Sequence, residues 1–158
     1  MAFTNLLILA FAVGIVAGLR TLTAPAVVCW AAHLGWVNLG NSHLAWMGST
    51  AAVATFSILA LAEIINDKLP SAGSRLRPPA LIGRSITGAL AGSALAIGAG
   101  QPALLGIVLG AVGALAGAFV GYQVRHQIVA GLKIPDFPVA LAEDAIAIGC
   151  GLLIVSRF

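Results

Sequence analysis

Two acids stand side by side in an apolar run, Glu143 and Asp144 in VALAEDAIAIG, residues 139–149. A carboxylate in hydrocarbon is costly unless it is paired, protonated or bound to a cation, so acids at such depth mark a site. Pro138 fits the first turn of a helix, where its missing N–H does little harm. Glu143 then lies about 8 Å further along the axis, past the headgroups. Two neighbouring carboxylates repel, and a proton or cation bound between them would suit an ion-coupled step. The competing reading is that an arginine neutralises them and ties the helices together. The sequence leaves both open.

The partner for such acids is sought first in AGLRTLTAPA, residues 17–26, which holds Arg20, Thr21, Thr23 and Pro25. A proline inside an apolar helix interrupts its hydrogen bonding and favours a kink or break. Thr23 is placed to cap a second half-helix beyond the break. A half-helix N-terminus beside an arginine suits an anion, or one of the protein's own carboxylates. Against this stands a snorkelling Arg20 near the outer interface, with an ordinary proline kink.

Glu63, Asn66 and Asp67 share one helical stripe. Asp67 reads as a solvated helix end, while Glu63 divides evenly between that and a site. Arg84 stands about one turn into its helix, where it could meet Glu63 or Glu143. Tyr122 and His126 share a face near Arg125 and read as interfacial anchors. His33 and His43, and the well-separated Cys29 and Cys150, show no metal-ligand spacing. No metal or other cofactor is expected.

The elements that must position these groups are membrane helices. Of the 158 residues 60% are hydrophobic and 8% charged, against about 25% charged in a soluble domain. Mean hydropathy is +1.05. The net charge of +3 forms no basic run of the kind that binds nucleic acid. Apolar stretches run from about Leu6 to Trp30, Leu44 to Ile65, Ala80 to Gly98, Pro102 to Val124 (extending toward Ala130) and Pro138 to Val155. Each is near the ~20 residues a bilayer crossing needs. The first is read as a membrane helix rather than a cleaved leader, because it has no preceding Lys or Arg and is too long for one. The fold expected is an all-α polytopic bundle of about five transmembrane helices in one domain, residues 1–158, the first helix broken near Arg20–Pro25.

Lys68, Arg75 and Arg77 follow the second stretch, and Arg125 and Lys133 the fourth. Positive charge marks the cytoplasmic side. With five crossings the N-terminus would be inside and the C-terminus outside, in a bacterial inner membrane. Arg157 runs mildly against that rule. Trp30, Trp36 and Trp46 would form a belt at the outer interface.

GIVAG (14–18) and GALAG (88–92 and 113–117), with Gly106, Gly110 and Gly121, give the small-residue spacing that lets helices approach closely in lipid. They argue for a tight bundle and for a homodimer. ALAE occurs at 60–63 and again at 140–143, each after a glycine motif. An odd helix between the two pairs would make this an inverted repeat, a plan found in transporters.

AGLRTLTAPA, AEIINDKLP (62–70), RPPALIGRSITGALAG (77–92) and PDFPVALAEDAIAI (135–148) together resemble a family of small bacterial integral membrane proteins of unknown function. The resemblance implies a compact helical membrane domain with Arg20, Pro25, Glu63, Asp67, Arg84, Glu143 and Asp144 as its recurring polar set. It implies no activity. The residues themselves favour a small transporter or channel for a proton, cation or small ionic solute. Its candidate site comprises Glu143, Asp144, Arg20, Thr21, Thr23, Glu63 and Arg84. The alternative is an accessory subunit packed on a larger partner. A lipid-modifying enzyme ranks last, because no nucleophile motif or metal cluster is present.

Overall fold

The computed structural model describes residues 2–67, 76–132 and 136–158, and every element in it is helical. The elements are α1 (Phe3–Leu19), α2 (Thr23–His33), a 3-10 turn (Ala45–Gly48), α3 (Thr50–Asn66), α4 (Pro78–Gly98), α5 (Ala103–Leu132) and α6 (Asp136–Val155). By length and composition α4, α5 and α6 can each cross a membrane, and α1 and α3 are shorter apolar helices. The chain is a polytopic membrane helix bundle. Lys68, Arg75 and Lys133 lie outside the described residues.

The first apolar stretch is two helices. Pro25 explains where they part: its ring clashes with the carbonyl four residues back, that of Thr21, and it has no N–H to offer. The helix therefore ends at Leu19, and Pro25 falls in the first turn of α2, where it is harmless. The break is a reversal. Collinear helices of 17 and 11 residues would span more than about 40 Å. Yet Asn5 near the start of α1 and Trp36 just past α2 line one cavity, together with Gly98 and Arg157. α2 returns toward the end from which α1 came.

Two ends follow. One, the tryptophan end, holds Asn5, Trp36 and Arg157. All three tryptophans are about half exposed there, and Trp30 donates to Ser57 Oγ at 3.0 Å. The other, the polar end, holds the α1–α2 break and the charged residues. Residues 5 and 157 share an end, which corrects the expectation that the two termini lie on opposite sides. The return of α2 splits into two antiparallel helices a stretch that hydropathy alone merges into one.

Glycines build the centre. α1 and α5 cross where Gly14 meets Gly110 and Gly18 meets Ala114 and Gly117. α4 meets α5 where Gly88 faces Gly110 and Gly92 faces Gly106. A Cβ at any of these glycines would strike the opposing backbone, so close approach in lipid requires their bare Cα atoms. The motifs read as serving a tight bundle and a homodimer are used here inside the bundle. Rising numbers on α1 match rising numbers on α5, so these two helices run in the same sense. An inverted repeat would require opposite senses.

α3 begins at Thr50, later than the apolar run suggests, because Ser49 accepts from Ala52 N–H at 3.1 Å and caps it. This helix lies at the edge of the bundle. It packs on α2 and the 3-10 turn, and only Ala52 and Val53 of it are buried.

Candidate functional site

The charged side chains gather where α1 reverses into α2. Arg20, the residue after α1, has extended backbone and is fully buried. Its Nη1 pairs with Asp67 at the end of α3, and its Nη2 with Asp144 of α6. Asp144 is buried, whereas Asp67 keeps 22% of its side chain exposed and so faces outward. One guanidinium thereby joins the edge helix to the core through the tip of the reversal. A buried charge persists only when so compensated.

Glu63 serves the same turn from α3. Its Oε1 accepts from Thr21 N–H and its Oε2 from Leu22 N–H, both at 2.8 Å. These amides lie at the cap residue Leu22 and the residue before it, beside the α2 N-terminus, whose dipole favours negative charge. The expected anion at the half-helix is the protein's own carboxylate. Thr23 does not cap: Leu22 is the cap residue and makes no side-chain bond. The Thr23 hydroxyl is buried without a hydrogen-bond partner among the described residues.

Arg84 of α4, buried, donates to the carbonyls of Gly18 and Leu19, the latter at 3.2 Å. These carbonyls end α1, where the dipole favours a cation. The sequence suggested Glu63 or Glu143 as its partner. Carbonyls freed by a break leave no mark in residue types, so the sequence does not point to them.

Glu143 is partnered separately, by Arg125 Nη1 of α5 at 3.4 Å. The adjacent acids of α6 therefore point to different partners, as the ~100° step between helical neighbours demands. Asp67, expected to be a solvated helix end, pairs with Arg20, and Arg125 forms a separate pair with Glu143. Tyr122 and His126 do stack, with ring centroids 6.1 Å apart.

A cleft of about 690 Å³ opens over the network between α3 and α4, lined by Thr21, Glu63, Asn66, Asp67, Arg77 and Arg84 among others. At the tryptophan end a second cavity of about 670 Å³ includes Asn5, Trp36, Asn38 and Arg157. Cavities with charged residues in their lining thus sit at both ends of α1.

A helix pair that reverses among long apolar helices, with charged side chains gathered at its break, defines a polytopic helical membrane protein with a charged cluster at one end of the bundle. The chain belongs to the family described as Domain of unknown function (DUF4126), which it matches over residues 7–156. No curated protein and no solved structure matches it.

Proposed function

We propose that this protein is a small transporter that moves a proton, cation or small ionic solute through the cleft between α3 and α4. The observation that carries this reading is Arg20, fully buried and shared between Asp67 in the cleft and Asp144 in the core. α3 packs on little besides α2 and the 3-10 turn. Its polar end is therefore tethered by Arg20–Asp67 and by Glu63 on the α2 amides. An arriving ion or proton that competes for these acids releases α3, and the cleft changes shape. Broken helices with their ends at a polar site are the usual means of holding ions at membrane depth.

The basic side of the bundle faces the cytoplasm in this proposal, following the excess of Arg and Lys near the polar end. Residue 5 then faces the outside, the reverse of what five crossings imply, in the cytoplasmic membrane of a bacterium. The cleft opens inward and the tryptophan-end cavity outward.

One observation favours a second reading, that of an accessory subunit. Arg20, Glu63, Arg84 and Glu143 all have partners within the chain, as staples would. Flux measurements separate the two. Purified protein in liposomes is assayed for proton, cation and anion movement, alongside Asp67→Asn, Asp144→Asn and Glu143→Gln. Flux by the wild type that falls in folded Asp67→Asn and Asp144→Asn supports transport. Absence of flux for every ion supports the subunit.

A further inference from the structure

All five acids of the chain, Glu63, Asp67, Asp136, Glu143 and Asp144, stand at the end of α3 or in the first half of α6, toward the polar end. Arg157 lies past the other end of α6, about 20 Å along the axis from Asp144. It makes no ion pair among the described residues. It is exposed into the tryptophan-end cavity of about 670 Å³, whose wall is mainly polar and includes Asn5, Trp36 and Asn38.

The cavity is held in shape from three sides. Residues 36–39 alternate: Val37 and Leu39 are buried, so Trp36 and Asn38 turn outward. Val37 seats against Gly98, where a Cβ would strike its side chain. Asn38 Oδ1 accepts from Gly40 N–H at 3.1 Å, and its NH2 group donates to nothing among the described residues. Beside Arg157, Phe158 packs on the core, and the Arg157 N–H donates to the Ile154 carbonyl in the last turn of α6. Asn5 lies in the first turn of α1, which carries no acid and whose cap residue Ala2 makes no side-chain bond. The positive end of that helix dipole reaches the cavity without an anion of its own.

We propose that this cavity binds a small organic monoanion, its carboxylate held by Arg157 and the amides of Asn38 and Asn5. A planar guanidinium takes a carboxylate in two parallel N–H···O bonds, and carboxamides add neutral donors. Arg157 is the one charged side chain among the described residues of the lining, so a single negative charge is matched and a phosphate dianion is not. The volume is that of a small-molecule site, and a halide would fill little of it. Ile8, Leu9 and Phe158 give the ligand's apolar part a surface. The mainly polar wall offers no track for an acyl chain, which favours a solute over a lipid. The cavity shares no residue with the α3–α4 cleft, so binding here stands or falls apart from the transport reading.

The test is isothermal titration calorimetry of the detergent-purified protein with benzoate and with benzamide, its uncharged analogue, after subtraction of the empty-micelle heats. The wild type is expected to bind benzoate at least about tenfold more tightly than benzamide, as one charge-assisted hydrogen-bonded pair allows. Arg157→Gln should bring benzoate to the level of benzamide. Asn5→Asp places a carboxylate in the cavity and should abolish benzoate binding, with its unfolding midpoint held or raised, because an acid suits the first turn of a helix. That combination distinguishes a lost site from a damaged fold. Equal binding of the two probes by the wild type, or a benzoate preference that survives Arg157→Gln, overturns the proposal. So does inorganic phosphate displacing benzoate at equal concentration, which would make the site indifferent to charge and shape. Displacement of benzoate by phosphatidylglycerol but not by acetate would give the site to a lipid headgroup and overturn the solute assignment. Should Arg157→Gln fail to fold, the probe pair and Asn5→Asp decide alone.

Discussion

Glu63 and Arg84 cap opposite sides of one backbone break. The carboxylate takes the amides of Thr21 and Leu22 that lead into α2, and the guanidinium takes the last carbonyls of α1. Each charge has the sign its helix end favours. Glu63 lies in the last turn of α3, where its charge opposes that helix's own dipole, so its placement is explained by α2. Glu63→Gln can still accept from one amide but loses the charge and the second acceptor. It is expected to lower stability by ~1–2 kcal/mol, and Glu63→Ala by more. Thermal unfolding in detergent reads both, and an unchanged midpoint for Glu63→Ala would remove the capping account.

Arg20 is a different case, because its removal strands two acids. Breaking a buried ion pair by deleting one partner costs ~3–5 kcal/mol, whereas replacing the whole set by apolar groups is often near neutral. Arg20→Met should therefore destabilise strongly. Arg20→Met combined with Asp144→Leu and Asp67→Asn should recover much of the loss. The measurement is a mutant cycle by denaturant unfolding, and simple additivity would show that the three groups do not act as a unit.

The glycine crossing sets a sharp positional contrast. A side chain at Gly110 would enter the Gly88 backbone, whereas one at Gly149 meets nothing within 4 Å. Gly110→Leu is expected to abolish a monodisperse peak in size-exclusion chromatography, and Gly149→Leu to leave it unchanged. Similar profiles would mean that the α1–α4–α5 centre is looser than described.

The reach of the sequence can be traced through these residues. The break near Arg20 was legible, because Pro25 removes an intrahelical hydrogen bond and favours a kink or break. The reversal was not, since nothing local to residues 20–22 dictates direction. The GxxxG faces were legible as close approaches, but which helix each would meet depended on the sense of α5 relative to α1, and the reversal changed that. Asp67 follows Asn66 at a helix end beside Lys68 and so resembles a solvated residue. Only the fold brings Arg20 to it. Arg84 reads from the sequence as a partner for Glu63 or Glu143, whereas the structure gives it backbone carbonyls, which every residue carries and no pattern distinguishes.

The reversal itself has a direct chemical test. Single cysteines at Asn5, Asn38 and Arg157, all exposed at the tryptophan end, are introduced after Cys29 and Cys150 are replaced by alanine. An impermeant maleimide should label all three from one side of the membrane, and Arg77→Cys from the other. Labelling of Asn5→Cys and Asn38→Cys from opposite faces would mean that α1 and α2 form one crossing.

The cleft reading makes a prediction that leaves the ion pairs untouched. Ala62 lines the cleft from α3 and is exposed, while Ala54 on the same helix is exposed outside it. Surface substitutions of this kind usually change stability by no more than ~0.5 kcal/mol. Ala62→Trp places an indole over Glu63 and Arg77 and should obstruct solute entry. In liposomes its flux is expected to fall at least about tenfold, corresponding to ~1.4 kcal/mol of added barrier, with the unfolding midpoint held. Ala54→Trp should conduct as the wild type does. Equal flux in the two tryptophan variants would place the pathway elsewhere, because an open cleft that tolerates a large aromatic ring cannot be the route of an ion.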